Sequence, residues 1–200
     1  MSAFRYGIAV LMLIAVPPAI LLWYAIHPFA RFWRRFGALG TYAILLLPVT
    51  AVVYVAWAAR RWLLAVDLGT QPWLAALGFA AGVAGAAIAL RRRKQLTQRV
   101  LMGVPELSST DRGTLLTEGI YARVRNPRYI EFLAFLLGYV AVANYVGTWV
   151  LFLAVVPATH VLVLLEEREL RDRFGAEYEE YCRQVPRWIP GRSRRAAARS

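Results

Sequence analysis

The 200-residue sequence predicts an all-α membrane protein of about five transmembrane helices, with a C-terminal helical hairpin followed by a cytoplasmic amphipathic helical segment. Three observations predict it. Hydrophobic residues make up 59% of the chain and charged residues 18%, which is more apolar than a soluble domain, whose apolar share sits nearer half. Apolar runs recur at lengths suited to a hydrocarbon core about 30 Å thick. The basic residues, finally, divide very unequally between alternate loops, as they do when a cell membrane orients a chain.

The first run covers residues 6–26. It is longer than the apolar core of a signal peptide, has only Arg5 ahead of it and lacks a small-x-small cleavage pattern, so it reads as a retained helix, kinked at Pro17 and Pro18. Runs at 39–59 and 72–90 follow, each long enough to span. The third places Gly78, Gly82 and Ala86 on one face, where a neighbouring helix of the same molecule can approach closely. Residues 1–90 are therefore expected to hold three transmembrane helices and 91–128 a polar cytoplasmic loop opening with Arg91, Arg92, Arg93 and Lys94. Two shorter runs, 129–143 and 147–165, are separated only by Asn144, Tyr145 and Val146, which predicts a tight helical hairpin over 129–165. Residues 166–200 form a charged C-terminal segment.

Of the 24 basic residues, 21 fall on one side of this arrangement, and Arg5, Arg60 and Arg61 on the other. The large loop and the C-terminus are thus expected in the cytoplasm. The net charge of +12 is explained by orientation and by anionic lipid headgroups, and no nucleic-acid partner is expected. Cys182 is the single cysteine, so an intramolecular disulfide and a cysteine-built metal site are excluded, and no metal is expected. Lys94 is the single lysine, a usage that points to a GC-rich bacterial genome and hence to a bacterial inner (plasma) membrane.

Two stretches carry chemistry. In the first, Asn126 is a favoured helix cap and Pro127 is shaped for the first helical position. The start of that helix, flanked by Arg125 and Arg128, suits an anion such as a carboxylate or phosphate. The plainer alternative is a simple helix start whose arginines meet lipid phosphates. In the second stretch, Leu170, Phe174, Tyr178, Tyr181 and Val185 recur at helical spacing and give one apolar stripe, with Gly175 expected to bend it. Glu167 with Arg171 and Glu169 with Arg173 read as i,i+4 pairs on a solvated face. Glu166 stands at the membrane boundary, where an acid needs a partner: a cationic or hydroxyl-bearing ligand, or Arg125 or Arg128.

The run Gly119-x-Tyr121-x-x-x-Arg125-Asn126-Pro127-x-Tyr129, then a hairpin, then Glu166-Glu167-x-x-Leu170-x-x-x-Phe174-Gly175-x-x-Tyr178-x-x-Tyr181-x-x-x-Val185-Pro186-x-x-Ile189-Pro190 resembles the core of the isoprenylcysteine carboxyl methyltransferase and phospholipid methyltransferase superfamily. The resemblance covers about residues 106 to 190. It implies an S-adenosyl-L-methionine-dependent methyltransferase embedded in the membrane, with a cytoplasmic cofactor pocket closed by the C-terminal segment and a lipid or prenylated, lipophilic acceptor. Carried over by position, the cofactor contacts are Glu106, Gly113, Thr114, Leu115, Leu116, Tyr121, Asn126, Pro127, Arg128, Tyr129 and Glu166. Arg125, Asn126, Tyr129 and Glu166 are expected at the reacting centre, and His160 and Glu131 are the candidates for acceptor contacts. Two positions depart from the eukaryotic members: Asn126 stands where they have His, and Leu162 where they place a substrate-contacting Arg.

Methyl transfer from a sulfonium is an in-line displacement, so the protein mainly aligns donor and acceptor and excludes water. A carboxylate acceptor needs no base. An amine or hydroxyl acceptor must lose a proton, and Glu166, Glu131 and His160 are the bases the sequence offers. Two other readings compete: an NADPH-dependent reductase resembling the sterol and steroid reductases, whose C-termini share the Tyr181-Cys182-x-x-Val185-Pro186 pattern, and a non-catalytic basic membrane scaffold.

Overall fold

The computed structural model describes residues 2–93 and 113–189. The long first helix α1 (Ser2–Ile26) continues through Pro17 and Pro18. A 3₁₀ turn (His27–Phe29) and the short α2 (Ala30–Trp33) lead to α3 (Gly37–Leu63) and α4 (Pro72–Arg93). A second 3₁₀ turn (Gly119–Ala122) precedes α5 (Pro127–Ala143), α6 (Val146–Phe174) and α7 (Ala176–Gln184). Among the described residues the structure is all-α, and four stretches are long and apolar enough to cross a membrane: Ala3–Trp33, Gly37–Leu63, Pro72–Arg93 and Val146–Phe174.

Against the expected five spans, α5 is the exception. Its 17 residues reach about 26 Å at 1.5 Å per residue, short of the hydrocarbon thickness. It lies among α1, α4 and α6, so protein covers much of its surface. The tightest of these contacts is with α4, where Gly78 and Gly138 bring the two backbones together. A Cβ built on Gly78 would stand 2.8 Å from the Gly138 carbonyl oxygen, and one on Gly138 would stand 2.9 Å from that of Gly78. The small-residue face of α4 therefore packs inside the molecule. On the other flank α3 presents Leu39, Leu46, Leu47, Val55 and Trp62 outward, an apolar surface that a bilayer, rather than water, solvates.

One end of the bundle is locked by Arg5, which is 5% exposed. Its Nε and Nη2 donate to the Ala143 carbonyl at 3.0 and 2.9 Å, supplying partners to the end of α5, and its guanidinium pairs with Asp67. The Gly69 amide and Arg5 together hold the Asp67 carboxyl below its usual range. Asn144 closes α5 in the left-handed conformation (φ 53°) and its side chain donates to the Gly69 carbonyl at 2.9 Å. Only Asn144 and Tyr145 separate the helices of the hairpin.

The other end carries the polar chemistry. Here α6 does not stop where its apolar run stops but continues unbroken through Glu166 to Phe174, ending at Gly175, whose φ of +57° favours glycine. The expected bend at Gly175 is thus a full break between two helices. Past it, α7 folds back so that Phe174, Tyr178, Tyr181 and Val185 form one cluster with Leu115 and Leu170.

Candidate active site

The segment entering α5, the last turns of α6 and α7 surround a cavity that opens to solvent. Thr114, Leu115, Leu116, Tyr121, Arg125, Asn126, Pro127, Arg128, Tyr129 and Glu166, all singled out from the sequence, line it. Glu106 lies outside the described residues, and Gly113 adjoins the lining without contributing to it. Five further residues, Leu170, Arg173, Phe174, Tyr178 and Tyr181, complete the wall. The sequence showed four of these as an apolar stripe. That the stripe faces a cavity and not lipid depends on the reversal at Gly175, which spacing alone does not reveal.

At the cavity wall, the Tyr129 hydroxyl donates to Glu166 Oε2, and Arg128 Nη2 donates to the Tyr129 oxygen at 3.0 Å and to Glu166 Oε2 at 3.3 Å. Of the two arginines considered for Glu166, Arg128 is its partner. The Arg128 guanidinium also lies 5.0 Å from the ring centres of Trp23 and Tyr129, so aromatic faces from α1 and α5 fix it laterally.

Glu167, fully buried, holds the site together. It accepts from Arg187 Nη2 at 2.8 Å and Nε at 3.0 Å and from Asn126 Nδ2 at 3.2 Å, and Arg125 Nη2 stands 3.2 Å away. Backbone bonds reinforce the same seam: Arg125 N–H donates to the Pro186 carbonyl at 2.9 Å, and the Tyr181 hydroxyl to the Tyr121 carbonyl at 2.7 Å. The segment after α7 is in this way strapped to the entrance of α5. Burial pushes the Tyr121 phenol up to about 12 and raises those of Tyr178 and Tyr181 as well, so all three remain neutral hydroxyls at physiological pH.

Several expectations change in this geometry. Glu167 and Glu169 are not on a solvated face: they are 0% and 7% exposed. Their partners include Arg187, Arg125, His27 and Arg34, distant in sequence and invisible to i,i+4 spacing. Asn126 occupies the cap position of α5 without a side-chain cap bond, because its amide is turned to Glu167 and the Arg187 carbonyl. Arg125, expected at the reacting centre, is bound to Glu167 and to the Cys182 carbonyl at 3.1 Å, while its Nε is buried without a hydrogen-bond partner among the described residues.

The two acceptor-contact candidates lie off the cavity wall. Glu131 accepts two bonds from Arg92, at 2.7 and 3.0 Å, and so ties α5 to α4. His160 is exposed on α6, where its Nδ1 accepts from the Trp188 indole at 3.2 Å with the rings stacked. Leu162 is buried against Tyr129 and Val163. The sequence reading missed His27, whose Nδ1 stands 3.0 Å from Glu169 Oε2 and whose ring stacks on Trp23.

Comparison with known proteins follows this geometry closely. The family described as Phospholipid methyltransferase matches residues 73–177, from the start of α4 into α7, which is just over half of the chain. A curated relative, the protein-S-isoprenylcysteine O-methyltransferase of Schizosaccharomyces pombe, is 38% identical over 77 residues. That match covers 38% of this chain and 33% of the relative, so it spans about a third of the relative's length. No solved structure matches the chain. With the matched region taking in both helices of the hairpin and all of the cavity wall except Tyr178 and Tyr181, this all-α membrane protein belongs to the phospholipid methyltransferase family.

Proposed function

We propose that the protein is a membrane-embedded S-adenosyl-L-methionine-dependent methyltransferase acting on a lipophilic acceptor, with its cavity and C-terminus on the cytoplasmic side of a bacterial inner membrane. The observation that carries the reading is convergence. The start of the hairpin and the segment past its end, about forty residues apart in sequence, meet around one open cavity. Family membership supports the reaction class. The excess of basic residues at this end supports the sidedness.

The residues present fit the cofactor. Phe174, Tyr178 and Tyr181 give flat apolar surface for a purine, and the neutral Tyr121 hydroxyl can donate. When bound, the cofactor supplies an electrophilic methyl group. The chain's own part is to position and to exclude water: Arg128, Tyr129 and Glu166 form a rigid polar wall, and the strap held by Glu167 closes the cavity.

Calorimetry of the purified protein against S-adenosylhomocysteine and NADPH tests this reading. Binding of the first but not the second is expected, with Glu166→Ala and Tyr129→Phe each weakening it about tenfold. NADPH binding alone would support a reductase, binding of neither a scaffold, and unchanged affinity in both variants would remove the site assignment.

A further inference from the structure

A polar side chain on the outward face of a membrane-spanning helix is costly unless a partner meets it. His160 on α6 is such a residue. It is exposed, and on the same face Leu153, Val156 and Leu164, seven and four positions before it and four after, are exposed and apolar. The apolar run of α6 ends at Glu166, six residues further on, so His160 lies about 9 Å inside that run at 1.5 Å per residue.

Its partner comes from the strap. The Trp188 indole N–H donates to His160 Nδ1 at 3.2 Å, with ring centres 5.9 Å apart and planes inclined by 29°. The same indole packs against the cluster of Tyr129, Leu162 and Val163, and Tyr129 is in the cavity wall. After turning at Gly175 and running through α7, the chain has therefore passed back over Glu167 and reached a level inside the apolar part of α6. Ile189, the next residue, is 80% exposed there, beside the outward leucine and valine side chains of α6.

Non-helical backbone is tolerated at the membrane edge when its polar groups are met within the protein. Pro186 has no N–H, and its carbonyl accepts from the Arg125 N–H at 2.9 Å. The Arg187 carbonyl accepts from Asn126 Nδ2 at 3.3 Å, and the Arg187 guanidinium is engaged by Glu167. Pro190, next in the sequence, again brings no N–H. The tip thus offers the bilayer an indole whose N–H is satisfied and a bare isoleucine. Tryptophan favours this boundary layer. Arg192, Arg194, Arg195 and Arg199 follow in the sequence, a charge that suits headgroup phosphates just outside an inserted tip.

We infer that the strap after α7 is a membrane-inserted element, with Trp188 and Ile189 among the upper acyl chains of the host bilayer. The partner of this surface is phospholipid. The bilayer, together with Glu167, holds the strap over the cavity, and the inference stands whatever ligand the cavity takes. Of the charged C-terminal segment, α7 is in water and the tip at Trp188 is not.

The test uses the unaltered protein in nanodiscs of phosphatidylcholine that carries a photoreactive diazirine on its acyl chain. Trypsin cuts after Arg187 and Arg192, so the tip is released as peptide 188–192, and α7 is released in peptide 174–183. Lipid adducts are expected on 188–192 and on the peptide bearing the outward face of α6, and at least about fivefold fewer on 174–183. Trp188→Ala should reduce labelling of the tip by a similar factor. Ile189→Asp places a charge in the acyl layer and should speed hydrogen exchange of the 185–189 amides in nanodiscs about tenfold. Adducts on the α6 peptide with none on 188–192, or equal labelling of 188–192 and 174–183, overturns the inference. A tip protected both from the lipid probe and from hydroxyl radicals in water is covered by protein, such as a second copy of the chain, and overturns it as well. Exchange unchanged by Ile189→Asp overturns the part given to the bilayer in holding the strap.

Discussion

Replacing Glu167 by alanine removes the carboxylate that joins α6, the entrance of α5 and the strap after α7. Three guanidiniums lie within 4 Å of it, and their exposures decide the outcome. Arg187, with a side chain 31% exposed, can turn to solvent, and Arg171, at 3.7 Å and 41% exposed, loses little. Arg125, 9% exposed, cannot turn out and keeps only the Cys182 carbonyl. Breaking a buried pair by removing one partner costs about 3–5 kcal/mol, and escape of Arg187 to water sets the value here near the lower figure, about 3 kcal/mol. If strap closure is linked to binding, the same energy weakens S-adenosylhomocysteine by about 100-fold. Calorimetry reads that loss, and hydrogen exchange of the amides in 185–189 reads the opening of the strap. The control is Arg171→Ala, expected to cost less than about 1 kcal/mol. A Glu167→Ala protein indistinguishable from Arg171→Ala in both measurements would refute the assignment of Glu167 as the hub.

The α4–α5 crossing predicts that Gly78→Val lowers the melting temperature in detergent sharply, because its Cβ meets the Gly138 carbonyl oxygen at 2.8 Å, whereas Gly82→Ala, with nothing within 4 Å, leaves it unchanged or slightly raised. Single changes Arg92→Met and Glu131→Leu should each destabilise by about 3 kcal/mol, and the double change should recover most of that loss, since an apolar pair can replace a buried ionic one; chemical denaturation of the three variants tests it. Asp67 gives the pH dependence: its folded-state pKa is depressed, so its contribution is fully present above the unfolded carboxylate value near ~4 and is lost as pH falls through the lower folded value. Asp67→Asn should therefore melt a few degrees lower at pH 7, with the gap to the unaltered protein closing below about pH 4. The gap is modest because the side chain is 38% exposed and solvent screens the pair.

Much of this architecture is legible in the chain because bilayer spans are written locally: a run of apolar residues suffices, and Pro72 and Pro127 mark two helix starts. The cavity lining from Tyr121 to Tyr129 falls within a motif, and the motif is local too, whereas Thr114, Leu115 and Leu116 precede it and follow only from the family resemblance. What spacing hid is every pairing made across sequence distance. The Glu167–Arg187 and His27–Glu169 contacts join residues 20 and 142 positions apart, and each carboxylate looks, within its own helix, like half of an ordinary i,i+4 surface pair. Glu131 illustrates the converse. An acid inside an apolar run suggested a ligand contact, yet its partner Arg92 came from the basic block at the end of α4, read from sequence only as an orientation signal. A lone histidine after an apolar helix carries no pattern at all, so His27 could be found only once α1 was seen against α6.

The unbroken course of α6 has a mechanical consequence. Its 29 residues make a rod of about 43 Å at 1.5 Å per residue, against a hydrocarbon slab of about 30 Å. The lipid-matched portion and the portion bearing Glu166, Glu169 and Arg173 are thus one stiff body. The depth of the reaction chamber relative to the headgroups follows from how that body seats itself in the bilayer, so membrane thickness becomes a variable of the chemistry.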